Sequence, residues 1–271
     1  MSAIDDLFQQ LRAKGEKALM PFITAGDPDI AFTGELIETL ADAGAAMCEV
    51  GVPYSDPVAD GPVIQESYQR ALDSKFRLEQ LFEMAANLPK QQAPDRPAMP
   101  LVTMVSYSII NRIGLETYVQ RALAAGYSGA IVPDLLVEES AKLTAICKAH
   151  DFSLIQLVTP TTPRDRQIRI AESSTGFLYF VSVTGITGER TELPTDLVEN
   201  VSWLKEQTDL PICIGFGISG PETAKRLAPV ADGLIVGSAF VRRIASVTPE
   251  NRQQVLTEVG SFARSIIKAM H

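Results

Sequence analysis

One carboxylate, Glu49, interrupts the apolar run AMCEVGV at residues 46–52. The two-residue repeat of an extended strand puts Met47 and Glu49 on one face and Cys48 and Val50 on the other. Desolvation of such an acid disfavours its charged form and raises its pKa toward the range where a carboxyl both gives and takes protons. Pairing with a helix or loop cation is the alternative use, but a place near the end of an apolar strand favours proton transfer. The next segment, GVPYSDPVADGPVIQ (51–65), holds two more carboxylates, Asp56 and Asp60, among three prolines and two glycines. That stiffness can fix an acid in place. Each aspartate also precedes a turn residue, where an Asx turn or a helix cap is the commoner role. Residue chemistry leaves both Asp56 and Asp60 open as the partner of Glu49, and two carboxylates in unlike environments suit general acid–base work.

A second group of candidates is glycine-rich: TGITGER (184–190), GFGISGPE (215–222) and VGSAFV (236–241). Each follows an apolar run and precedes a helical start, so their backbone N–H groups can converge on one anion. Single glycines of this kind make turns; three such clusters point to a phosphate or another oxyanion. The formal net charge of −9 and the pI near 4.9 argue against a nucleic-acid groove or an anionic membrane surface. An acidic chain binds an anion through backbone amides more readily than through scattered lysines and arginines.

Exclusions narrow the chemistry. No lysine falls at the end of an apolar run, which argues against a Schiff-base aldolase. The two histidines, His150 at a helix end and His271 at the terminus, suit neither a triad nor a metal site, and no metal is expected. Cys48, Cys147 and Cys213 lack CxxC spacing, and their odd number fits buried thiols in a reducing compartment. There is no Walker motif and no strand-linked GxGxxG. Proton transfer is left to carboxylates.

These residues need elements to hold them. Eight short apolar runs, at 18–24, 46–52, 100–107, 129–134, 153–159, 176–183, 211–216 and 232–238, alternate with helical patterns along the chain. Nearly continuous apolar character marks parallel strands covered on both faces. Eight strand–helix units predict a (β/α)8 TIM barrel forming one domain over 1–271, with its active site at the C-terminal strand ends. The helical stretch AFTGELIETLADAG stops at Gly44, and VEESAKLTAICKAH carries acidic residues in its first turn. An extra N-terminal amphipathic helix is expected to plug the barrel bottom, a short phosphate-site helix is expected after strand 8, and LPKQQAPDRPAMP (88–100) reads as a surface loop. The N-terminus has no signal-peptide pattern, and no run is long enough to span a membrane, so a cytoplasmic location is expected.

The runs FITAGDP, EVGVPYSDPVADGP, VPDLLVEES, TGITGER, GFGIS and VGSAFV, in this order and spacing, resemble the tryptophan synthase alpha subunit over essentially the whole chain. The resemblance implies retro-aldol cleavage of indole-3-glycerol phosphate to indole and glyceraldehyde 3-phosphate, with no cofactor in this subunit. It implies Glu49 as the acid–base group at the indole C3 and the glycerol hydroxyl. It selects Asp60 over Asp56 as the group that stabilises the positive indole nitrogen and takes its proton. It puts the phosphate on Gly188, Gly217, Gly237 and Ser238, and Thr187 on a mobile lid. Phe22, Met104, Ile131, Tyr179, Phe216 and Ile235 become the indole pocket, although any barrel interior needs such side chains. The partner implied is a beta subunit carrying pyridoxal phosphate, in an alpha2beta2 heterotetramer. Two positions depart from the family: Leu136 where proline is usual and Ser108 where asparagine is usual. Both lie in loops that, by resemblance, face the beta subunit.

Overall fold

The structure is a computed structural model and describes residues 2–58, 60–88, 98–182, 195–215 and 217–271. Its strands are β1 (Ala18–Thr24), β2 (Cys48–Gly51), β3 (Leu101–Met104), β4 (Tyr127–Ile131), β5 (Ser153–Val158), β6 (Leu178–Val181), β7 (Ile212–Gly215) and β8 (Gly233–Val236). They form a closed barrel in sequence order, each parallel to its neighbours, with β8 returning to β1. The helices are α1 (Ala3–Lys14), α2 (Ile30–Ala43), α3 (Pro62–Asp73), α4 (Leu78–Ala86), α5 (Tyr107–Ile113), α6 (Leu115–Ala124), α7 (Ala141–Ala149), α8 (Arg164–Ser173), α9 (Thr195–Gln207), α10 (Pro221–Leu227), α11 (Ser238–Ile244) and α12 (Arg252–Met270). Among the described residues, no helix is long and apolar enough to cross a membrane.

Alternation along the strands divides the core in two. Outward side chains such as Cys48, Val50, Ile214 and Leu234 join a large cluster under the helices. Inward ones, including Met20, Phe22, Met47, Val102, Ile155, Cys213 and Ile235, fill the barrel with Ile4 and Phe8 of α1. Helix α1 closes the N-terminal end as expected: Ser2 bonds Ser153 at the start of β5 at 2.8 Å, and the Phe8 ring lies 5.9 Å from that of Phe177 just before β6. Gly44 ends α2 in the left-handed region at φ 99, where a side chain would be strained.

Several boundaries differ from the sequence reading. The apolar run at 100–107 leaves the strand at Met104, because Ser106 caps α5 and Asp134 accepts the Tyr107 N–H at 2.8 Å. Strand β4 begins earlier and ends at Ile131, ahead of the turn at Pro133–Asp134. Glu138 and Glu139 are not in the first turn of α7, which starts only after Ser140. Glu138 instead pairs with Arg166 and Arg169 of α8. Most of the segment expected as a surface loop, residues 89–97, lies outside the described residues.

Candidate active site

Parallel register brings the candidate residues to one level of the barrel. Phe22 of β1 is opposite Glu49 of β2, Glu49 is opposite Val102 of β3, and Gly51 is opposite Met104. Gly215 of β7 is opposite Ile235 of β8. At the C-terminal mouth these elements enclose a cavity of about 300 Å³. Phe22, Met104, Tyr179 and Ile235 form its apolar wall, and Glu49 and Asp60 both face it. Ile131 sits in the same interior, opposite Met104 and Ile155, but is fully buried and not on the cavity wall. Phe216, Thr187 and Gly188 lie outside the described residues.

Two inward glycines make room for aromatic walls. A Cβ on Gly51 would stand 2.5 Å from the Phe22 ring, and one on Gly215 would stand 2.3 Å from that of Tyr179. Atoms that close overlap, so the strand must be bare there for either ring to lie flat against it.

Burial separates the carboxyls. Glu49 is 3% exposed, and its Oε2 has no hydrogen-bond partner among the described residues. No ion pair reaches Glu49 or Asp60 among those residues. Desolvation, reinforced by the nearby charge of Asp60, pushes the Glu49 pKa up to about 8. Asp60, less deeply buried, is pushed up by desolvation to about 6. Between these values Asp60 is ionised while Glu49 keeps its proton. Asp60 is held by its backbone: its N–H donates to the Pro57 carbonyl at 3.0 Å, and its own carbonyl accepts from Gln65 at 2.7 Å. Asp56 is exposed, bonds Ser55, and takes no part in the cavity.

The opposite end of the cavity is built from strand ends. Gly217, Ile218 and Ser219 follow β7, and Gly237, Ser238 and Ala239 lead into α11. Gly217 has φ +76, a conformation that suits glycine. A Cβ on Gly237 would meet Phe22 and Ile64 only at the ordinary contact distances of 3.7 to 3.9 Å. The first amides of α11 have no earlier helical turn to bond, which suits an oxyanion. The sequence reading missed several wall residues: Gly61–Ile64 at the start of α3, Ser219 and Arg242. Arg242 had a findable signal, since it lies four residues after Ser238 on a helix and so shares its face.

Acid–base chemistry inside a (β/α)8 barrel, on a substrate enclosed at the C-terminal mouth, sets the class of this enzyme. Residues 8–271 match the family model for the tryptophan synthase alpha chain. The tryptophan synthase alpha chain of Rhodopirellula baltica is 60% identical over 277 residues, covering 100% of this chain and 99% of that one. That of Synechocystis is 44% identical over the full length of both. The tryptophan synthase subunit alpha from Legionella pneumophila superposes with a TM-score of 0.88 at 33% identity, covering 100% of this chain and 98% of that one. The chain therefore belongs to the tryptophan synthase alpha chain family. It is a carbon–carbon lyase of tryptophan biosynthesis, cleaving indole-3-glycerol phosphate to indole and glyceraldehyde 3-phosphate. This subunit carries no cofactor; pyridoxal phosphate belongs to the beta subunit.

Proposed function

We propose that Glu49 and Asp60 perform this cleavage with divided roles. The observation that carries the reading is the split between a carboxyl raised to about 8 and one raised to about 6 in a single cavity. Near neutrality Glu49 delivers its proton to C3 of the indole. The ring becomes a cation at C2=N1, and ionised Asp60 accepts the N1–H and stabilises the charge. Glu49, now a carboxylate, takes the proton of the hydroxyl on the carbon attached to C3. That carbon becomes the aldehyde, the bond to C3 breaks, and its electrons restore the indole and neutralise N1. Glu49 ends protonated, ready for another turnover.

The ring lies between Phe22, Met104, Tyr179 and Ile235, with Ile131 beside Met104 on the next strand and Phe216 assigned to the same pocket. The phosphate takes the amides of Gly217, Gly237 and Ser238, with Gly188 as a further donor and Thr187 on a lid. Release of indole from indole-3-glycerol phosphate tests the roles: Glu49→Gln and Asp60→Asn should each lose at least roughly a hundredfold in kcat. Near wild-type turnover in both would reject the pair.

We read residues 1–271 as one barrel domain, acting in the cytoplasm, where Cys48, Cys147 and Cys213 stay reduced. Its partner is a beta subunit, in an alpha2beta2 heterotetramer. Leu136, at 55% exposed, and Val58, at 91%, are the exposed large hydrophobic side chains among the described residues, and both lie on mouth-side loops suited to that contact. Ser108 supports the same face by bonding Ser106, which in turn donates to Asp134.

A further inference from the structure

The cavity is acidic where chemistry is read and has to accept an anion at its other end. Of its wall residues, Glu49 and Asp60 are the carboxylates and Arg242 is the single cation, counted among the described residues. Arg242 stands one turn after Ser238 on α11. Long helical side chains lean back toward the helix N-terminus, which directs Arg242 toward the turn of Gly237, Ser238 and Ala239, and all four residues line the same cavity. The neighbouring Arg243 is committed elsewhere: it donates to the Ala239 carbonyl at 2.6 Å and stacks on Phe262 at 3.5 Å. Arg242, which is exposed, has no hydrogen bond or ion pair among the described residues, although exposed Arg169 and half-buried Arg166 and Arg252 do. An arginine is charged at any working pH, and its planar donors match phosphate oxygens.

We propose that Arg242 reads the charge of the substrate's phosphate, so that the enzyme distinguishes a phosphorylated tail from an uncharged one by a side chain as well as by backbone amides. The proposal rests on the phosphate reading above and deepens it. An anion brought into a cavity that holds ionised Asp60 meets repulsion that neutral amides only partly offset; a full positive charge at the phosphate end offsets more of it.

The test uses the full chain with glycerol 3-phosphate as probe, measured by calorimetry at low and high salt, and indole release from indole-3-glycerol phosphate. Arg242→Met should weaken glycerol 3-phosphate about tenfold at low salt and flatten the salt dependence, and Arg242→Lys should recover most of the loss. In the assay, KM should rise about tenfold with kcat nearly unchanged, the pattern of lost binding rather than lost chemistry. Arg242→Gln serves as a second neutral variant should the methionine form fail to fold. If a folded neutral variant binds within about twofold of wild type with the same salt dependence, Arg242 has no such role. If the wild-type protein itself fails to bind glycerol 3-phosphate, the phosphate reading falls and this inference with it.

Discussion

Glu49 keeps its proton to about pH 8 because burial strips water from its charge and the nearby charge of Asp60 opposes it. That burial has a thermodynamic consequence separate from catalysis. In the unfolded chain the carboxyl ionises near 4.5, and in the folded chain only near 8. The folded state therefore binds more protons across that window, and Glu49 destabilises it increasingly as pH rises from about 4.5 through about 8. Glutamine keeps the shape and does not titrate. Glu49→Gln should raise Tm, with little gain at pH 4 and a gain on the order of 5 kcal/mol that levels off above pH 8. Denaturant unfolding at several pH values checks this; a gain that does not depend on pH would show that Glu49 ionises freely. Glu49 was legible from strand period alone. Asp60 was not, because Asp before Gly reads equally as a turn; the family resemblance selected it over Asp56, and it is Asp60 that faces the cavity while Asp56 is exposed. Arg242 was overlooked as a basic residue in the last turn of a short helix, although its spacing of four from Ser238 was the signal that could have found it.

At the scale of elements, Asp60 depends on how α3 is anchored. The loop from β2 ends at Gly61, and α3 then runs along the barrel mouth with Ile64 against the cavity. Two contacts tie α3 to β1 and the loop after it. Thr24 bonds Ser67 at 2.6 Å, and Arg70 grips Asp27 with two hydrogen bonds of 2.9 and 2.7 Å. The Asp27 side chain is 3% exposed and that of Arg70 is 36% exposed. Removing the cation strands a buried carboxylate, which costs roughly 3 to 5 kcal/mol in a fully buried pair and less when one partner reaches water. Arg70→Met should therefore destabilise by about 2 kcal/mol, read as a shift in the denaturation midpoint. A change within a few tenths of a kcal/mol would mean that the pair anchors nothing. None of this is visible in sequence, since Asp27 and Arg70 are 43 residues apart and meet only through the barrel. The strands themselves were legible, as continuous apolar runs bounded by turn residues. Their ends were not: β3 gives way to α5 where Asp134 accepts the Tyr107 N–H, a partner 27 residues away in sequence that only the fold brings there.

For the whole molecule, the two ends of the barrel divide stability from chemistry. The C-terminal mouth carries the titrating carboxyls and the bare glycines, while the N-terminal end is sealed by α1 through Ile4 and Phe8, both buried. Phe8→Ala should remove a ring that packs on Phe177 and cost about 3 kcal/mol, while leaving KM for indole-3-glycerol phosphate unchanged below the unfolding temperature. Parallel thermal unfolding and steady-state assays check the separation; an altered KM would mean that the barrel transmits the loss to its mouth. The outer ring is closed in the same economical way, with Arg252 of α12 joining Asp29 and Glu35 and lying 4.8 Å over the Phe32 ring. Strand–helix alternation was enough to read the barrel and its eight units, because closure of a parallel sheet follows from local pattern repeated eight times.

The central claim, that a protonated Glu49 starts the cleavage beside an ionised Asp60, is tested most directly by the alkaline side of the pH profile of kcat/KM. The second ionisation of a phosphate lies near pH 6, so a limb well above it belongs to the enzyme. The predicted profile falls tenfold per pH unit above about 8 as Glu49 loses its proton. A rate that stays level or rises from pH 7 to pH 10 would contradict the account.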